Sequence, residues 1–284
     1  MKVAICTVGR LENRYINEFV DHYRNIGIDK IFIHDNNYDG EDHFEDVLQQ
    51  DINSGLVEII NYRNRQVCQL EAYMKCYELH KNEYDWILFI DCDEFLYMEH
   101  FNNIHEFLAQ PKFNSFQMIH INWMIYGDND LVYYENKKLK DRFINPILPF
   151  NFKTTENDMT FNCHIKSIIR GGLERLIFVY SPHTPENNFK CCDATGNVCQ
   201  SNSPFLVPYN FTEAHFKHYV TKTIDEYYHI KVKRGFPDVN KDFFKTNNWI
   251  EQFFKINKMT IEKQLYIRGL YNKKIVKNEK LNGI

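Results

Sequence analysis

Two hydrophobic periods alternate along the first hundred positions of the chain. Lys2 to Thr7 is a short apolar run of β type that ends at Gly9, after which Tyr15, Ile16, Phe19, Val20, Tyr23 and Ile26 recur at helical spacing. Gly27 follows, where a helix C-cap is expected. Lys30 to His34 predicts a second strand, and it runs into the turn-rich segment Asp35 to Gly40. A helix over His43 to Gln50, a strand over Val57 to Asn61, a longer helix over Gln66 to Lys81 and a strongly apolar strand over Trp86 to Asp91 complete the series. Strands alternating with helices predict an α/β fold, a mostly parallel central sheet flanked by helices on both faces. Beyond residue 110 the pattern is less regular and reads as a smaller α+β half. It has short β-type runs at Ser115 to Ile121, Lys166 to Ile169 and Leu176 to Tyr180, helices over Asp225 to Arg234 and Asp242 to Asn257, and a basic tail from Ile261 to Ile284. No internal repeat or low-complexity linker interrupts it.

Composition narrows the class. The 284 residues are 44% hydrophobic, 15% aromatic and 25% charged, which suits a folded globular chain with a sizeable core. With 34 basic against 38 acidic side chains the net charge is -4, so no overall basic field attracts nucleic acid. Eight cysteines are too few for a disulfide scaffold at this length and predict free thiols in a reducing, cytoplasmic compartment. No signal segment precedes the first strand, and no apolar run approaches the roughly 18 residues of a membrane span.

In parallel sheets ligands sit beyond the carboxyl ends of the strands. Those ends carry Thr7 and Arg10, then Asp35, Asn36 and Asn37, then Asn61 and Arg63, and finally Asp91, Asp93 and Glu94. The last set is the sharpest, an Asp-x-Asp directly after the apolar strand Ile87 to Ile90. Two carboxylates so spaced can share a divalent ion that keeps water and phosphate oxygens in its remaining positions.

Asp91-Cys92-Asp93-Glu94-Phe95 resembles the signature of GT-A-type nucleotide-sugar glycosyltransferases, in a bacterial group similar to glycosyltransferase family 92 and distantly to family 2. Further segments keep that family's order: Glu12-Asn13, Tyr15, Glu18-Phe19, His22-Tyr23 and Ile26-Gly27; Asp35-Asn36-Asn37 with Asp39; and Gln69, Ala72-Tyr73 and Cys76. Trp123 with Gly127, Lys166-Ser167-Ile168, Ser181-Pro182-His183, His218-Tyr219, Lys222, Lys231 and Arg234-Gly235 extend the match to about residue 236. The resemblance implies a GT-A catalytic domain over 1–236, with a nucleotide-sugar half at 1–110, an acceptor and metal-completing half at 111–236, and a helical, basic extension at 237–284.

It also implies a UDP-sugar donor, an oligosaccharide or lipid-linked glycan acceptor, and a Mn²⁺ or Mg²⁺ ion. Asp35 would hold the base or ribose with Asn36 beside it, Thr7, Arg10 and Gln69 would lie along the donor, and Lys222 would lie beside the phosphates. Asp91 and Asp93 would face the metal, and His218 would complete its shell. Two positions depart from the pattern: Tyr38 stands where the turn has Ser, and Asp128 follows Gly127 where Ser is usual. An inverting transferase needs a carboxylate base, and Asp128, Glu156, Asp158 and Glu186 are the candidates, with Asp128 preferred for its closeness to Trp123.

Other features have plainer explanations. Cys191, Cys192 and Cys199 with His183 contain ligand types for zinc, but a β-hairpin turning at Asp193 to Asn197 accounts for the thiols as packed side chains. The stripe Trp249, Ile250, Phe253, Phe254 and Ile256 has the spacing of a core-facing helix, and with the basic tail it also suits peripheral contact with an anionic membrane face. The reaction expected is metal-dependent, inverting transfer of a hexose or N-acetylhexosamine in surface-polysaccharide or lipooligosaccharide assembly. A sugar-phosphate nucleotidyltransferase would use similar carboxylates but needs an early glycine-rich basic loop that Gly9-Arg10 does not supply. A non-catalytic carbohydrate-binding module would have no use for Asp91, Asp93 and His218 together.

Overall fold

The computed structural model describes residues 1–148, 160–235 and 248–270. Ten strands form one sheet: β1 (Val3–Gly9), β2 (Lys30–Asp35), β3 (Val57–Asn61), β4 (Trp86–Phe89), β5 (Glu94–Met98), β6 (Met118–Ile125), β7 (Ile165–Arg170), β8 (Cys191–Asp193), β9 (Val198–Cys199) and β10 (Ala214–His218). The order β3-β2-β1-β4 is parallel throughout, as the alternation with helices requires. Past β4 the sheet turns mixed. β7 lies antiparallel between β4 and β6, β10 runs parallel to β6, and β5 closes the edge antiparallel to β10. The outer edge of β6 is shared, Met118 to His120 pairing with β8 and Trp123 to Ile125 with β10.

The two-residue period of the strands sorts the core. Val3 and Ile5 of β1 with Trp86, Leu88 and Ile90 face helix α1 (Ile16–Asn25), while Ala4, Cys6 and Val8 with Ile87 and Phe89 face helix α3 (Gln69–His80). Helix α2 (Glu45–Asn53) packs near β3. Helix α1 buries Ile16, Phe19, Val20 and Tyr23; burial of side chains such as Phe19 and Val20 contributes about 1.5–3 kcal/mol each. Gly27 ends that helix in the left-handed region at φ +89°, a conformation that favours glycine.

Several sequence expectations change. Leu176 to Tyr180 is not a strand. Leu176 and Phe178 are buried while Ile177, Val179 and Tyr180 are exposed, so the alternation is real. The Ile177 backbone, however, bonds to Glu186 N–H and to the Asn187 side chain instead of to a neighbouring strand. The helix expected over Asp225 to Arg234 starts at Ile224 on a Thr223/Glu226 capping box and passes through a π-turn, Tyr227–Val232. Of Asp242 to Asn257, Trp249–Phe254 is helical and 242–247 lies outside the described residues; of the tail, 261–270 is helical and 271–284 likewise lies outside.

The aromatic stripe turns inward. Phe253 is fully buried against Tyr227, and Trp249 packs on Tyr228, so these rings close the protein's own core. No helix among the described residues is long and apolar enough to cross a membrane.

Candidate active site

A cleft opens beyond the carboxyl ends of β1, β2 and β4. β4 stops at Phe89, and Asp91 to Glu94 makes a tight turn closed by the Glu94 N–H donating to the Asp91 carbonyl at 3.1 Å. The chain then leaves the parallel half as β5. Because β5 pairs with β10 in the register Glu94↔His218, a residue from far along the chain lands beside the Asp-x-Asp turn. Tyr219 N–H donates to the Asp93 carbonyl at 3.0 Å and locks that junction.

Asp93 is the electrostatic centre. His218 Nε2 lies 3.3 Å from its Oδ1, and Lys231 and Lys222 lie 3.0 and 3.3 Å from its Oδ2. Burial pushes the Asp93 carboxyl up, but Lys231, Lys222 and His218 outweigh it and hold the group well below the usual carboxylate range. Asp91 behaves likewise: burial raises it and Lys166, 2.9 Å away, brings it below its ordinary value. Gln69 Nε2 donates to the other Asp91 oxygen at 2.6 Å. Glu94 has the opposite fate, since its full burial outweighs Lys166 at 3.8 Å and raises it well above a normal glutamate. Lys222 reaches Asp93 from a left-handed backbone, φ +54°, a strain of about 1–3 kcal/mol of the kind that clusters at functional sites. Its ammonium also faces Glu12 at 3.7 Å, and Arg234 pairs with Glu12 at 2.9 Å.

The expected donor residues divide into two groups. Arg10, Asn36, Gln69, Asp91, Asp93 and His218 line the cleft together with Tyr38, Trp123, His183, Lys231 and Arg234. Arg10 is gripped by both oxygens of Glu41, at 2.6 and 2.9 Å, and its guanidinium stacks on Tyr38 at 3.6 Å, which gives a use to the departure from Ser at that turn. Thr7 and Asp35 lie beneath the cleft instead of lining it. The Thr7 hydroxyl is buried 3.3 Å from Cys92 Sγ, and Asp35 accepts from the Asn37 backbone and side chain while pairing with Arg63 at 2.8 Å. Lys222 enters through its contacts with Asp93 and Glu12.

Of the base candidates, the two among the described residues, Asp128 and Glu186, are not brought here. Asp128 forms a 2.6 Å ion pair with Lys263, its backbone N–H donates to Asn257 Oδ1, and it does not line the cleft. Glu186 sits in the loop that bonds to Ile177, also away from the lining. Glu156 and Asp158 lie outside the described residues. The opposite error concerns Glu12, Lys166, Lys231 and Arg234. Each stands in a family-matched segment that assigns it no role, and each is an ion-pair partner in the site.

The donor atoms suit a divalent ion on one side of Asp93. Such an ion holds neighbouring ligands at about 2.1 Å, hence roughly 3 Å apart, close to the 3.3 Å between Asp93 Oδ1 and His218 Nε2. Burial lowers the His218 imidazole, which favours the neutral form that a metal ligand needs, while Asp93 is held below the usual carboxylate range. Trp123 meets that imidazole in an edge-to-face contact with ring centres 4.3 Å apart, which helps to fix its orientation.

The parallel strand-end cleft, with a carboxylate turn at one wall and lysines and an arginine gathered on it, agrees with the GT-A type of fold that the resemblance implies. The chain belongs to glycosyltransferase family 92, whose model matches residues 2–266. A glycosyltransferase family 92 protein of Oryza sativa subsp. japonica is 31% identical over 96 residues; the match covers 34% of this chain and only 16% of the rice protein's length. Among solved structures, S. aureus TarS 1-349 in complex with UDP aligns over 93% of this chain and 77% of TarS 1-349 at 10% identity, with a TM-score of 0.43. The same fragment with UDP-GlcNAc aligns over 93% and 78% of the two chains at 10% identity, again with a TM-score of 0.43.

Proposed function

We propose that this glycosyltransferase moves a hexose or N-acetylhexosamine from a UDP-sugar to a carbohydrate acceptor, free or lipid-linked, with inversion and with help from Mn²⁺ or Mg²⁺. The observation that carries the reading is the convergence of Lys222, Lys231, His218 and Arg234 on Asp93 and Glu12 at the strand-end cleft. In the reaction the bond from the anomeric carbon to the diphosphate breaks and the electron pair leaves with the diphosphate. The acceptor hydroxyl oxygen forms the new bond, and its proton passes to a base. Lys222 and Lys231 would meet the negative charge that grows on the leaving diphosphate. Asp93 and His218 would hold the divalent ion, which supplies Lewis-acid neutralisation of that diphosphate. Gln69 and Lys166 orient Asp91 at the cleft wall. The base is sought among Asp128, Glu156, Asp158 and Glu186; the ion pair of Asp128 with Lys263 and its place off the cleft lining count against the first of these.

A panel of UDP-sugars, assayed for UDP release with Mn²⁺, with Mg²⁺ and with EDTA, tests the proposal. Metal-dependent release that increases on adding a glycan acceptor is the expected outcome. Pyrophosphate release from UTP and a sugar phosphate would replace it with the nucleotidyltransferase, and saturable sugar binding without turnover of any donor would replace it with a binding module.

A further inference from the structure

Three side-chain clusters among the described residues bring His, Cys or carboxylate atoms within 4.8 Å of one another: Cys6 with His34 and Cys76, Asp35 with His43 and Glu45, and His120 with Cys191 and Cys199. Hydrogen bonding separates them. His34 Nδ1 lies 3.1 Å from the Thr7 carbonyl and must donate to it, so it presents N–H, not a lone pair, to Cys6 at 3.8 Å. Asp35 is already neutralised by Arg63, which also contacts His43 Nδ1.

The third cluster is different. The Thr184 hydroxyl donates to the Ser201 carbonyl at 2.6 Å, so its oxygen is left to accept from His120 Nε2–H at 3.3 Å. That assigns the proton to Nε2 and turns the lone pair of Nδ1 toward Cys199 Sγ, 3.9 Å away. Cys191 and Cys199 face each other across the β8–β9 hairpin with their sulfurs 3.4 Å apart, and β8 lies beside β6, which carries His120. A tetrahedral zinc ion, bonded at about 2.3 Å to sulfur and about 2.1 Å to nitrogen, spaces its ligand atoms roughly 3.5–3.8 Å apart. The 3.4 and 3.9 Å distances differ from that spacing by a few tenths of an ångström, and all three ligand atoms lie within 4.8 Å of one another. His120 and Cys191 are buried and Cys199 is partly exposed, which leaves one side of the cluster open to water.

We infer that His120 Nδ1, Cys191 Sγ and Cys199 Sγ form a zinc site, with solvent in the fourth position, distinct from the carboxylate-lined cleft. Binding releases the two thiol protons to solvent and leaves both sulfurs as thiolates. The ion ties the hairpin to β6 and braces the segment from Pro182 to Cys199. That segment carries His183 into the cleft wall, one residue before the Thr184 that orients His120. The imidazole is not that of His183, the histidine nearest these thiols in the chain: among the described residues it is His120 that gathers with Cys191 and Cys199, while His183 lines the cleft.

The experiment uses the full chain, purified with reductant and loaded with Zn²⁺ or Co²⁺ alone. One zinc per chain should survive dialysis, and the cobalt form should show thiolate-to-metal charge transfer and the intense visible bands of a tetrahedral site. Cys199→Ser, at a partly exposed hairpin position, should lose both signals with its circular dichroism unchanged, and Thr184→Val should weaken zinc about 10–100-fold. Asp93→Asn should keep the cobalt–thiolate band while losing sugar transfer, which separates this site from the cleft. Wild type that holds no zinc, Cys199→Ser that keeps it, or an anaerobically handled protein with Cys191 and Cys199 joined as a disulfide and no metal would each overturn the inference.

Discussion

Asp93 gathers the charged groups of the cleft wall around one side chain. Two lysines and a neutral imidazole share its two oxygens, and the removal of any one leaves the others to keep it ionised. Lys231→Met should therefore fold, since Asp93 retains Lys222 and His218, yet turnover should fall by about 10²–10³-fold, the scale for losing one preorganised charge contact to a leaving group. Steady-state UDP release measures it; a rate within about threefold of the unmodified enzyme would remove Lys231 from the site. Single residues also show why the Asp-x-Asp is legible in the sequence and its partners are not. A carboxylate pair after an apolar strand is a local pattern, whereas nothing local in the segment around Lys231 says that a π-turn helix will aim its ammonium at Asp93.

At the level of elements, the turn Asp91–Glu94 separates two short apolar runs that join different parts of the sheet. Trp86–Phe89 joins the parallel half, and Glu94–Met98 joins β10 at the far edge. Periodicity does not reveal β5, because an apolar run as short as Phe95 to Met98 directly after the acidic turn carries no sign of which strand it pairs with. Helical residues 261–270 are anchored by charge. Lys263 is fully buried and pairs with Asp128 at 2.6 Å, and Asn257 Oδ1 accepts from the Asp128 backbone N–H. Lys263→Met would leave a buried carboxylate uncompensated and should cost about 3–5 kcal/mol in denaturant unfolding. Asp128→Asn in that background should recover part of the loss, and Asp128→Asn alone should leave the turnover of folded enzyme intact. A loss of transfer without loss of stability would restore Asp128 as a base.

For the whole molecule, buried histidines set the acid limit. Burial holds His22, His34 and His215 down to about 4, against an ordinary value near 6.5. A group whose folded value is depressed adds stability above its unfolded value and loses it as pH falls through the folded one. These three therefore contribute in full above about pH 6.5 and are lost progressively toward pH 4. Glu226, lowered overall because Arg142, Tyr15 and Thr223 outweigh its burial, adds a loss in the same direction below about 4.3. Glu94 and Asp128, both raised by burial, work the other way as pH rises from about 4, but they are two groups against three histidines. The urea midpoint should fall steadily between pH 6.5 and 4.5; a flat profile over that range would show that the histidines are hydrated in the folded protein.

Periods of two and 3.6 residues, with turns only a few residues long, are enough to lay out the parallel half, the two faces of its core and the strand ends that form the cleft. All of that can be read from the chain alone. The family resemblance adds His218, Lys222, Lys231 and Arg234 as an ordered set and implies a ligand role for His218 and Lys222, without saying which side chains of the protein each meets. Their arrangement around Asp93, the removal of Asp128 to Lys263, and the meeting of His120 with Cys191 and Cys199 come into being only when the chain is folded. Each depends on strand pairings or ion pairs between residues far apart in the chain, and the free energy of such contacts has no counterpart in the local pattern of any one segment.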